Sequence, residues 1–188
     1  MRISLIGRDY NRIMAKCSPA VSRDDARQTL RHIALECKGG KGIATALDGF
    51  VMMQAAFSYE GDDGTVLLLP GGKVEDDCFV DIEVEDDKIS ITIDDVTTTR
   101  SYLELPVIDW RQIVARKPGH ETKAVFALNS KLLKQMLKGF KKNDVIMFEV
   151  GDPLEAVVFR SYEQCGLLLP MRVEPSVELM DFGGSDNA

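Results

Sequence analysis

With 188 residues, 45% of them hydrophobic and 28% charged, the chain is long enough for one large domain or two small ones. No apolar run approaches the ~20 residues of a spanning helix, and Met1-Arg2-Ile3-Ser4-Leu5-Ile6 is too short and too quickly charged for a signal peptide, so a cytoplasmic protein is expected. A net charge of −7 argues against a uniformly basic surface, and Cys17, Cys37, Cys78 and Cys165, widely spaced, read as small core residues and predict neither a zinc site nor a disulfide framework.

Residues 2–6 alternate as a short strand. A helix is expected next, with Asp9 near its N-terminus, because Tyr10, Ile13, Met14 and Cys17 recur at i, i+3, i+4 and i+7. Arg8, Arg12 and Lys16, spaced by four, share the opposite face, and Pro19 ends the helix. Residues 30–37 read as a buried strand, Gly39-Gly40 as a turn and residues 42–47 as its partner, with Asp48-Gly49 as a hairpin turn. Residues 50–59 are apolar enough for a central strand, and residues 65–69 follow the acidic loop 60–64 as another.

From Cys78 to Glu85 and from Lys88 to Ile93, strict alternation predicts a hairpin across Asp86-Asp87, with Ile82, Val84, Ile89, Ile91 and Ile93 on its inner face. Residues 97–105 add a third strand. Residues 106–119, with Pro106, Pro118 and Gly119, read as a connection anchored by Trp110. Residues 123–128 alternate again. Asn129 or Ser130 then caps a helix whose buried stripe is Leu132, Leu133, Met136, Leu137 and Phe140. Lys131, Lys134, Lys138 and Lys141, with Lys142 beside them, follow offsets of three, four and three and line a second stripe about 15 Å long. Residues 145–150, 154–161 and 166–173 complete a second strand-helix-strand-strand-strand unit.

Charge is therefore polarised along the chain. Between Glu60 and Asp95 there are 13 acidic and two basic residues, whereas residues 123–143 hold six lysines and no acid. A solvated, solubilising face explains such a run on composition alone. No chemistry-bearing motif competes with that reading: there is no P-loop, nucleophile elbow or metal-ligand histidine pair, and His32 and His120 are the only histidines. The paired acids Asp62-Asp63, Asp76-Asp77, Asp86-Asp87 and Asp94-Asp95 lack calcium-loop spacing and suit turns and edge protection. A non-enzymatic chain without cofactor or metal is expected.

Three segments resemble the bacterial beta sliding clamp, the processivity ring of DNA polymerase. They are MRISLIGRDYNRIM, LRHIALECKGGKGIATALDGF with its Thr45-Ala46-Leu47-Asp48-Gly49 turn region, and AVFALNSKLLKQMLKGFKKNDVIMFEVGDPLEAVVFRSYEQCGLLLPMRV with its Pro-Met-Arg ending. The resemblance implies a DNA-clamp-like α+β fold of repeated β-α-β-β-β units, with two helices packed on antiparallel sheets. Residues 1–173 would form one clamp-like domain: a first unit over 1–70, a strand-rich middle segment over 71–118 that lacks a helix, and a last unit over 119–173. A flexible tail spans 174–188.

By the same resemblance, helices line a central hole and touch duplex DNA through phosphates without reading sequence. Arg8, Arg12, Lys16, Lys131, Lys134, Lys138, Lys141 and Lys142 would face that DNA. Leu169, Pro170 and Met171 hold positions that help form a pocket for peptides of polymerases and the clamp loader, although the same three residues equally suit an ordinary strand end in a core. In the tail, Met180 and Phe182 loosely resemble the motifs that enter such pockets. The chain is about half the length of a family member, so ring closure would need several copies and a homo-oligomer is expected. Two readings follow: a clamp-like processivity or tethering factor for a DNA polymerase, or a clamp-fold interaction module, adaptor or competitor, that does not encircle DNA.

Overall fold

A computed structural model describes residues 1–114, 127–141, 144–151, 155–162 and 164–171. The architecture is α+β, built from antiparallel sheets with few helices, as expected. The chain divides into two compact units, Met1–Asp109 and Trp110–Ala188. The middle segment 71–118, expected to lack a helix, is divided between them and contains one after all, Trp110–Val114.

The first unit opens with β1 (Arg2–Ile6), α1 (Gly7–Cys17) and, after two short 3-10 turns, β2 (Ile33–Lys38), β3 (Lys41–Leu47) and β4 (Met52–Ser58). Next come β5 (Glu60–Gly61), β6 (Gly64–Leu68), β7 (Phe79–Glu85), β8 (Lys88–Ile93) and β9 (Val96–Ser101). Two sheets result, in the orders β4-β3-β2-β6 and β5-β1-β7-β8-β9. They repeat one plan with exchanged entry strands: β1 pairs with β7, and β6 pairs with β2. The plan differs at one place. β1 leads into α1, whereas β6 leads into the irregular stretch 69–78.

Burial follows alternation. Ile3, Leu5, Ile33, Leu35, Val66, Leu68, Val80 and Ile82 turn inward from both sheets, and Tyr10, Ile13, Met14 and Cys17 close the core from α1. Each aliphatic side chain so buried contributes roughly 1.5–3 kcal/mol. The predicted hairpin is present, with Ile82 and Ile89 buried and Val84, Ile91 and Ile93 packed against the core. Asp94 and Asp95 both have positive φ, 46° and 65°, the pairing that a tight hairpin turn demands.

Several expectations are corrected. α1 starts at Gly7 and not at Asp9, whose carboxylate instead accepts the Ser58 N–H (2.9 Å). Residues 28–31 form a 3-10 turn, so His32 lies at its end and not within the strand, and its Nδ1 faces the Gln28 carbonyl oxygen (2.8 Å). Among the described residues β4 pairs with β3 alone, as an edge strand and not the central one expected. β9 ends at Ser101 and not at 105; the Tyr102 N–H still bonds the Asp87 carbonyl (2.6 Å), one pair further in the β8–β9 register.

The second unit begins with α2 (Trp110–Val114), a helix of five residues inside the stretch expected as a connection. Trp110 is buried, and the Arg111 guanidinium lies 4.4 Å from the centroid of its ring. α3 (Ser130–Leu137) follows, then β10 (Met147–Glu149), β11 (Val157–Arg160) and β12 (Cys165–Leu168), which form one antiparallel sheet. Val157, Phe159 and Leu168 make a small core under Leu133, Met136 and Phe140. Leu132 and Leu137, expected in the buried stripe, are exposed. Cys165, expected in a core, is exposed as well. His120, most of the strand expected over 123–128, and the tail with Met180 and Phe182 lie outside the described residues.

Candidate nucleic-acid interface and peptide-binding surface

α1 presents its two faces as the spacing predicts: Tyr10, Ile13, Met14 and Cys17 are buried, while Arg8, Arg12 and Lys16 are exposed. The three cations are not equivalent. Arg12 is tied down, donating from Nη2 to the Ala56 carbonyl (2.6 Å) and lying 3.1 Å from the Asp9 carboxylate. Arg8 and Lys16 have no ion-pair partner among the described residues.

In the second unit, Asn129 caps α3 as expected. Its Oδ1 accepts the N–H groups of Lys131 (2.9 Å) and Leu132 (3.2 Å), two of the donors that a helix start leaves unpaired. Lys131 and Lys134 are exposed on this helix, and Lys138 is its C-terminal cap. The helix stops there because the N–H groups of Gly139 and Phe140 turn back to the carbonyls three residues earlier, Met136 (3.0 Å) and Leu137 (3.2 Å), which tightens the chain out of the α-helix. The lysine stripe is therefore shorter than expected. It covers Lys131 to Lys138, about 10 Å along the axis at 1.5 Å per residue. Lys141 falls beyond it, with its N–H bound by the Asp144 carboxylate (2.9 Å), and Lys142 lies outside the described residues.

The Leu169-Pro170-Met171 stretch follows β12. Leu169 is 66% exposed and Met171 49% exposed, and Pro170 is half-buried, so none of the three sits in the interior. Met171 is held by its backbone, donating its N–H to the Ala127 carbonyl (2.7 Å). Apolar side chains that sequence reading did not single out are also exposed, including Phe50, Tyr162 and Leu167. Period-2 alternation cannot flag them, because it marks which residues share a face and not whether that face is covered.

Among the described residues, no group of three or more His, Cys, Asp or Glu side chains is placed to hold a metal ion. No described helix is long and apolar enough to cross a membrane.

No family model matches the sequence, and no curated protein matches it. Solved structures do. The DNA polymerase sliding clamp of Bacillus subtilis superposes with a TM-score of 0.72 at 12% identity, over 93% of this chain and 50% of that one. The chain has the bacterial sliding-clamp fold. The beta sliding clamp of C. crescentus gives a TM-score of 0.69 at 16% identity over 90% of this chain and 50% of that one. The DNA polymerase III beta subunit of Thermotoga maritima gives 0.55 at 12% identity over 93% and 66%. This clamp-like chain thus spans about half the length of the B. subtilis and C. crescentus proteins. At such identities it is the fold that is shared.

Proposed function

We propose that the chain is a sliding-clamp-like tethering or processivity factor for a DNA polymerase, which holds duplex DNA non-specifically against the basic faces of α1 and α3. The observation that carries this reading is the set of exposed cations without an ion-pair partner among the described residues, Arg8 and Lys16 on α1 and Lys131 and Lys134 on α3, in a clamp-fold chain of net charge −7. Such side chains suit phosphate contacts that leave base identity unread, which is what sliding needs. Arg12, Lys138, Lys141 and Lys142 complete the proposed DNA-facing set, and Leu169, Pro170 and Met171 a proposed surface for polymerase or other clamp-binding peptides. The role is non-enzymatic, requires no cofactor and belongs in the cytoplasm. Because the chain spans half of its clamp neighbours, encirclement rests on homo-oligomerisation.

Duplex binding measured against salt tests this directly. Four neutralised phosphates predict a slope of log K on log salt of about −3.6. Replacing Lys134 and Lys138 by Glu should lower affinity at least tenfold and flatten that slope. An unchanged affinity would remove DNA contact from the proposal. The half-length span also supports a second reading, a clamp-fold interaction module that does not encircle DNA. A monomeric or dimeric mass in solution together with salt-independent DNA affinity would select that reading instead.

A further inference from the structure

The two sheets of the first unit follow one plan, but only one of them is covered by a helix along its outermost strand pair. On β3 and β4 the residue pairs Gly42 with Phe57 and Ala44 with Ala55 share the inner face, and both Phe57 and Ala55 are buried. The corresponding pairs on β8 and β9 are Ile89 with Arg100 and Ile91 with Thr98. Here no helix follows β6, and Thr98 and Arg100 are exposed. The stretch 69–78 runs beside α1 instead, with Gly71 donating its N–H to the Met14 sulfur (3.3 Å) and Val74 bound by Asn11. Among the described residues, no helix covers the end of the face nearest Ser101.

A cavity of about 230 Å3 occupies that end, between β6 and the β8–β9 pair. Its apolar wall includes Leu67, Leu69, Ile89 and Tyr102, and its rim carries Arg31 and Arg100. A cavity of about 150 Å3 lined by apolar groups holds a benzene ring, so this one has room for a leucine- or phenylalanine-sized side chain. No carboxylate is among its lining residues, although the whole chain has 30 Asp and Glu against 23 Lys and Arg. Arg31 already has a counter-ion, Asp25 at 2.6 Å. Arg100 has none among the described residues. An apolar lining beside a guanidinium without a counter-ion among the described residues suits an apolar group with a carboxylate next to it.

We propose that this cleft docks a short acidic, apolar peptide segment of a partner protein, one large apolar side chain entering the cavity and a neighbouring carboxylate pairing with Arg100. None of its residues belongs to the DNA-facing set or to the 169–171 stretch. The docking is therefore independent of the function proposed above.

Fluorescence anisotropy of the full chain with two labelled hexapeptides, alternating leucine-glutamate and alternating leucine-lysine, tests it. The glutamate peptide should bind at least tenfold more tightly, and NMR shifts should centre on Ile89, Ile91 and Leu67. Arg100→Glu, a change at an exposed position, should reverse the preference, which loss of fold cannot do. Equal binding of the two peptides, shifts elsewhere, or a preference that survives Arg100→Glu would overturn the proposal. So would a tenfold gain in affinity on deleting residues 172–188, because the chain's own tail would then be the occupant.

Discussion

The side-chain amide of Asn11 binds both backbone groups of Val74. Nδ2 donates to the Val74 carbonyl (2.8 Å), and Oδ1 accepts the Val74 N–H (3.0 Å). The same Nδ2 reaches the Asp76 carboxylate (2.7 Å). One helix residue thereby does for the irregular stretch 69–78 what hydrogen bonds within a helix do for themselves, satisfying a peptide that would otherwise lie half-buried and unpaired. Asn11→Ala should cost about 1–3 kcal/mol. Asn11→Asp should lose more at neutral pH, because it removes the donor and sets a second carboxylate against Asp76. Urea denaturation of the three proteins checks the order, and equal midpoints would show that the contact contributes nothing.

Gly7, the first residue of α1, meets the same stretch at its other end. Its N–H donates to the Cys78 carbonyl (2.8 Å), and a Cβ there would collide with the carbonyl oxygen of Glu75. Two effects oppose each other in Gly7→Ala. Helix propensity favours alanine by about 1 kcal/mol. Overpacking against backbone costs about 1–3 kcal/mol, and an oxygen in the main chain cannot swing aside as a side chain could. Net destabilisation is expected by chemical denaturation. A stabilised variant would mean that residues 75–78 move freely.

Much of this was legible from residues alone, and what was not has a common cause. The hairpin of β7 and β8 was read from the alternation of Ile82, Val84, Ile89 and Ile91, and the acid pairs Asp86-Asp87 and Asp94-Asp95 were read as turns, because both signals are local. That β4 sits at a sheet edge is set by which strands come beside it, and no window of sequence records that. The early end of α3 reflects a choice between α and 3-10 bonding at Gly139 that helical periodicity does not see. Leu132 and Leu137 fit the apolar stripe by spacing yet are exposed, because periodicity marks a shared face and not whether that face is covered. The charge pattern marked the lysines as exposed but could not say what they face. Only the clamp resemblance turned them into a candidate interface.

The turn between β3 and β4 depends on pH through one carboxylate. Asp48 Oδ1 accepts the N–H groups of Val51 (2.8 Å) and Phe50 (2.8 Å), and these bonds, that from Val51 first, hold its pKa below the usual 3.8. A depressed folded pKa means that the unfolded chain binds the proton more readily. The stability this group adds is present above pH 3.8 and is lost as pH falls through the lower, folded value. Asp48→Asn keeps an acceptor oxygen and removes the titration. Its melting temperature should therefore decline less steeply than that of the parent protein below pH 4. Parallel declines would show that the turn does not contribute to acid sensitivity.

The four thiols should separate into one reactive and three protected groups. Burial pushes Cys17 up to about 11, and burial together with the nearby Asp63 carboxylate pushes Cys37 up to about 11. Cys78 is raised too, first by burial and then by Asp94, Asp77 and Glu75. Cys165 alone is exposed, at the start of β12. Since the thiolate is the nucleophile, burial and raised pKa values hold back Cys17, Cys37 and Cys78, whereas Cys165 is open to reagent. A thiol-exchange reagent should modify one cysteine per chain quickly, Cys165→Ser should abolish that phase, and guanidinium should release the other three together. Rapid modification of Cys78 in the native protein would mean that the stretch 69–78, which Asn11 and Gly7 hold against α1, opens at its end.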